Sequence, residues 1–79
     1  SQYTRASFSE ILTMLEAELD ETEKKVLWLM LQGERAMPAF AEVLGLTRLD
    51  EREQRSEVNR VKDRLAKKLQ RLGQRLKRR

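Results

Sequence analysis

The stretch LGLTRLDEREQRSEVNRVKDRLAKKLQRL, residues 44–72, decides how this chain folds. Within it Val58, Val61, Leu65, Leu69 and Leu72, continued by Leu76, recur at steps of 3, 4, 4, 3 and 4, the spacing that makes one face of an α-helix apolar. At about 100° per residue, that stripe leaves Ser56, Asn59, Arg60, Asp63, Lys67 and Gln70 on the opposite side. Lys62, Arg64, Lys68, Arg71 and Arg75 flank the ridge or lie nearer the seam. Upstream, Gly45 suits the left-handed turn that closes a helix. Between the two features lies TRLDEREQRSEVNR, residues 47–60, which can be housed in two ways. Either residues 49–56 form a turn or two of their own with a break near Ser56, or Asp50 caps one helix running to the tail. Asp50 three residues before Glu53 starts a helix under both readings. The absence of glycine or proline in the stretch favours the single helix.

Working outward, SFSEILTMLEAEL (7–19) opens with Ser7 three residues before Glu10, a capping box, and continues with apolar residues at helical spacing. DETEKKVLWLMLQG (20–33) has a second such box in Asp20 and Glu23, then an almost wholly apolar run and Gly33 as a stop. A helix apolar all round belongs at the centre of a fold, which makes Trp28 an expected core residue, with a partner contact as the alternative. ERAM (34–37) reads as a connection in which Glu34 and Arg35 are ordinary loop charge. Pro38 suits the first turn of the short helix PAFAEVLG, because its missing N–H is not needed there. The expected fold class is all-α, a small bundle of four to five helices with a long basic C-terminal helix.

Seventy-nine residues make one small domain, 1–79, with few apolar residues to line a deep pocket beyond its own core. The chain has no cysteine and no histidine, so disulfides, thiol nucleophiles, imidazole bases and the usual zinc sites are excluded. Its acids fall on capping positions and helix surfaces without a nucleophile beside them. The expectation is a protein that is not an enzyme and that uses no cofactor and no metal. The longest apolar run, VLWLML at 26–31, is far short of the roughly 20 residues that cross a bilayer. No membrane contact is expected.

Charge is divided unevenly. Residues 1–47 carry four Lys/Arg against eight Asp/Glu, and residues 48–79 carry thirteen against five, giving −4 and +8. The basic half is a candidate polyanion surface. Its outward ridge can address base edges, while the flanking cations reach phosphates.

A helix closed by a glycine turn and followed by a basic helix follows the helix-turn-helix pattern. The order LDETEKKVLWLMLQGE, then FAEVLGL, then VKDRLAKKLQRL resembles more closely region four of bacterial RNA polymerase sigma factors, particularly the extracytoplasmic-function class. The resemblance covers roughly residues 12–76 and rests on the order and spacing of motifs that are individually common. It implies a DNA-reading domain of transcription initiation that binds double-stranded promoter DNA and docks on RNA polymerase through the flap of the beta subunit. An anti-sigma protein is a further implied partner. So is a cytoplasmic place in the bacterial nucleoid, with the chain either whole or a piece of a longer sigma factor. Carried onto this sequence, base reading falls to Ser56, Asn59, Arg60, Asp63 and Lys67, and phosphate contact to Lys62, Arg64, Lys68 and Arg71. Asn59 suits adenine, Arg60 suits guanine, and Asp63 tolerates a groove only by accepting from cytosine N4.

Three departures stand out. Ala39 occupies a place where the family usually has glutamate, the connection after Gly33 is about one residue longer, and residues 47–60 lengthen the passage to the last helix. If that lengthening displaced the reading helix, the domain would instead be an interaction module for polymerase, an anti-sigma protein or a second copy, since a stripe of this period can form a coiled coil. A monomer is expected ahead of a homodimer.

Overall fold

Three of the four helices begin at the same chemical device. The computed structural model describes residues 7–78, and among them the elements are α1 (Phe8–Glu18), α2 (Glu21–Leu31), α3 (Met37–Val43) and α4 (Glu51–Lys77). Ser7 with Glu10, Asp20 with Glu23 and Asp50 with Glu53 form reciprocal capping boxes at the starts of α1, α2 and α4. Each box satisfies backbone amides that the first helical turn leaves unpaired. Among the described residues there is no strand, and the fold is the expected all-α bundle.

The short helix α3 is begun differently. Its N-cap, Ala36, has no side-chain oxygen, and Pro38 sits in the first turn. The Glu34 carboxylate braces the turn just before it, accepting from the amides of Arg35 at 3.1 Å and Ala36 at 2.9 Å. Glu34 is therefore a structural residue of the α2–α3 corner and not the plain loop charge that its position suggested. Gly33 and Gly45 adopt φ of 82° and 71°. In that left-handed turn the amide after each glycine reaches back five residues, Glu34 to the Leu29 carbonyl and Leu46 to that of Ala41.

Residues 47–60 take the single-helix course. α4 is unbroken for 27 residues, about 40 Å at 1.5 Å per residue, and sets the long dimension of a molecule measuring 51 × 19 × 19 Å. Gln54 secures its N-terminal turns, its Nε2 donating to the carbonyls of Leu46 and Leu49 at 3.1 Å each. The lengthened segment thus continues the helix axis and does not fold back over the ridge.

The core is built where α2 and α3 lie against α4. Val26, Phe40, Val58, Val61 and Leu65, joined by Leu19 at the α1–α2 corner, form one buried cluster. Most of the α4 stripe packs in or beside it, with Val58, Val61, Leu65 and Leu72 buried and Leu69 and Leu76 half-buried.

α2 departs from the sequence reading. Its buried residues are Val26 and Glu23 alone, while Trp28 is 62% exposed and Leu31 73% exposed. The reason is geometric: Trp28 is two residues from Val26 and so points about 200° away from it. Only one side of α2 has α3 and α4 against it, because α1 buries none of its own residues and leaves Phe8 and Leu12 exposed. Between α1 and α2 this leaves an apolar groove of about 490 Å³ lined by Phe8, Leu12, Leu15, Leu27, Trp28 and Leu31.

Trp28 is the chain's one tryptophan, so its emission reports this face alone. We expect acrylamide to quench it in the folded protein nearly as well as in the urea-unfolded chain; strong protection and a blue-shifted maximum would contradict the arrangement.

Candidate nucleic-acid interface

The outward side of α4 carries the five residues assigned to base reading. Ser56, Asn59, Arg60, Asp63 and Lys67 are all exposed, and no other helix covers them. They span about 16 Å of helix axis, from 1.5 Å per residue, and the groove of a B-form duplex is wide enough to admit such a helix. Val58, Val61 and Leu65, on the other side of the same turns, fix the rotation by packing into the core.

Three of the five, Arg60, Asp63 and Lys67, hold intrahelical partners. Arg60 pairs with Glu57 at 3.0 Å and Lys67 with Asp63 at 3.3 Å. Arg60 and Lys67 stay 70% and 71% exposed, so each pair contributes only about 0.3–0.5 kcal/mol. A bidentate contact to the correct base discriminates by about 1–3 kcal/mol, which is enough to draw either cation off its neighbour. The acids nearest the start of the ridge are occupied as well, Glu53 in the cap with Asp50 and Glu57 on Arg60.

The four residues assigned to phosphates separate into different environments. Lys62 is half-buried with its Nζ 4.1 Å from the centre of the Phe40 ring, a cation–π contact that covers the ring's face. Arg64 and Lys68 grip Glu23, the one buried charged residue among those described. The Arg64 Nε donates to Glu23 Oε2 at 2.8 Å, and the Lys68 Nζ donates to Oε1 at 2.7 Å. The Arg64 Nη2 also reaches Asp20 at 3.3 Å, and Lys68 donates to the carbonyl of Glu18 at 3.1 Å. Of the four, only Arg71 is exposed with no ion pair to a described residue.

Sequence reasoning missed this clamp because its partners lie 41 and 45 residues apart. The available signal was the second capping box, which places Glu23 at the start of a helix expected to be central. Both oxygens of Glu23 are satisfied, Oε1 also accepting the Asp20 amide at 2.8 Å, as a buried carboxylate requires.

Burial alone would push the Glu23 carboxyl up. The Lys68 ammonium, the Asp20 amide and the Arg64 guanidinium outweigh it and hold the group at about 2, against an ordinary 4.5. A carboxylate depressed in this way stabilises the fold fully above the unfolded value, and the contribution fades as pH falls from about 4.5 towards 2. On that difference it is worth about 3 kcal/mol.

No metal-binding group of His, Cys, Asp or Glu occurs among the described residues, and no described helix is long and apolar enough to cross a membrane. Comparison with family models, curated proteins and solved structures found no match.

Glu23→Gln keeps the shape and removes the charge. Because Arg64 and Lys68 remain partly solvated, the loss should be about 2–3 kcal/mol at neutral pH, less than for a fully buried pair. Urea unfolding should also show the wild type weakening between about pH 4.5 and 2 more steeply than the variant; parallel pH profiles would contradict the clamp.

Proposed function

We propose that this domain reads double-stranded promoter DNA in transcription initiation, as a sigma factor region four-like module, by laying the outward ridge of α4 in the major groove. The observation that carries the reading is the unobstructed ridge of Ser56, Asn59, Arg60, Asp63 and Lys67 on a helix whose opposite side is locked in the core. Asn59 offers an amide for adenine and Arg60 a guanidinium fork for guanine, with Lys67 two turns further along the groove. Asp63 restricts the site to a cytosine or to a position off the phosphates. The charge division supports this reading, since the part of the chain that holds the ridge carries +8 and the rest −4.

The exposed apolar groove favours a second surface for a protein partner. Phe8, Leu12 and Trp28 line a groove that holds no residue of α4, so a partner there and a duplex on the ridge do not compete. The resemblance to sigma factors makes the polymerase beta flap or an anti-sigma protein the expected occupant, and the domain itself a monomer in the cytoplasm. An interaction module without DNA reading would keep this surface alone.

Enrichment from a randomised duplex pool, followed by affinity measurement on the enriched sequence, tests the reading. Arg60→Ala with Lys67→Ala should weaken binding by roughly ten- to a hundredfold, and Asn59→Ala should relax preference at one position. Unchanged affinity in the double variant would remove these residues from the interface. Failure to enrich any sequence would leave the interaction-module reading.

A further inference from the structure

The last four turns of α4 hold more positive charge than groove reading or the core requires. Residues 64–78 contain seven Lys/Arg and no acid. Arg64 and Lys68 are engaged by Glu23, Lys67 by Asp63 and Arg75 by Glu18 at 3.6 Å. Arg71, Lys77 and Arg78 are exposed with no ion pair to a described residue. Cations in a helix's final turn favour its dipole, which accounts for Arg75 and Lys77. Arg71 lies further in, and it has Lys67 and Arg75 four residues to either side, a like-charge arrangement that weakens a helix.

These side chains surround a cleft of about 460 Å³ beside the end of α1, lined chiefly by Glu18, Lys68, Arg71, Gln74, Arg75 and Arg78. On the α4 wheel, at about 100° per residue, Arg60, Arg64, Arg71, Arg75 and Arg78 share the edge of the helix nearer Glu23. The opposite edge is mixed, with Asn59, Ala66, Gln70 and Gly73 beside Arg55, Lys62 and Lys77.

We propose that this cleft is a separate, sequence-independent site for the phosphodiester backbone of duplex DNA, with Arg71 and Arg78 as its principal ligands and Gln74 as a neutral donor. It rests on the reading of α4 as a groove helix and extends that helix's contact to phosphates beyond the groove. Arg71 stands one turn past Lys67 and Arg78 about 16 Å past it, at 1.5 Å per residue. A straight helix seated by residues 56–67 brings them out over the flanking backbone. An anionic lipid surface fits less well, because the exposed large hydrophobic side chains of the described residues, Phe8, Leu12, Trp28, Met30 and Leu31, all belong to α1 and α2.

The test is fluorescence anisotropy of the full chain with a labelled duplex of arbitrary sequence at several salt concentrations, alongside phosphatidylglycerol vesicles. Arg71→Ala with Arg78→Ala should reduce the log–log salt slope by about 1.8 and the low-salt affinity by roughly tenfold. Glu18→Gln, which removes the carboxylate from the cleft, should strengthen binding, and Gln32→Ala, at the exposed end of α2, should leave it unchanged. Circular dichroism checks that each variant folds. A wild type that binds the duplex with a salt slope unaltered by the double substitution would overturn this site while leaving the groove reading intact. A wild type that binds vesicles but no duplex would overturn both.

Discussion

Glu23 is the point at which the other helices take their bearings from α4. Its carboxylate completes the cap of α2 through the Asp20 amide and holds Arg64 and Lys68 from the middle of α4. Lys68 in turn reaches the last carbonyl of α1. Because the two cations are four residues apart, gripping both fixes the rotation of α4 about its axis. Lys67, about 100° from Lys68, then has to point outward, and Asn59, Arg60 and Asp63 follow from the same rotation. Packing of Val58, Val61 and Leu65 imposes the same register from the apolar side. Removing Glu23 would leave Lys68 without its ion-pair partner and Arg64 with Asp20 alone, at the junction of three helices.

The clamp changes what the basic half of the chain is for. A tally of Lys and Arg treats the final helix as uniformly available to a polyanion, but its cations have different tasks. Arg64 and Lys68 hold the fold, and Lys62 covers the Phe40 ring. Arg60 and Lys67 are restrained only by weak exposed pairs and remain available. A salt slope for binding should therefore reflect fewer contacts than the charge count implies, since only neutralised phosphates release counterions.

Local chemistry was legible in the sequence. Ser7 with Glu10, Asp20 with Glu23 and Asp50 with Glu53 announced three helix starts, and Gly33 and Gly45 the two left-handed stops, because each device acts within a few residues. The α4 stripe gave both the long helix and the outward side of Asn59, Arg60 and Lys67. Non-local facts were hidden. Trp28 sits in an apolar run, yet its burial depended on whether α1 would cover the far side of α2, which composition does not encode. Arg64 and Lys68 look like their neighbours, and only tertiary contact sets them apart. Glu34 escaped notice because a carboxylate that braces its own loop has no fixed spacing.

Backbone amide chemical shifts of the isotope-labelled chain during titration with its enriched duplex test the central claim most directly. The account predicts perturbations concentrated in α4 at residues 56–67 and in the turns that follow, with the Trp28 side of α2 unaffected. Shifts confined to α1 and α2, with the outward side of α4 silent, would contradict it.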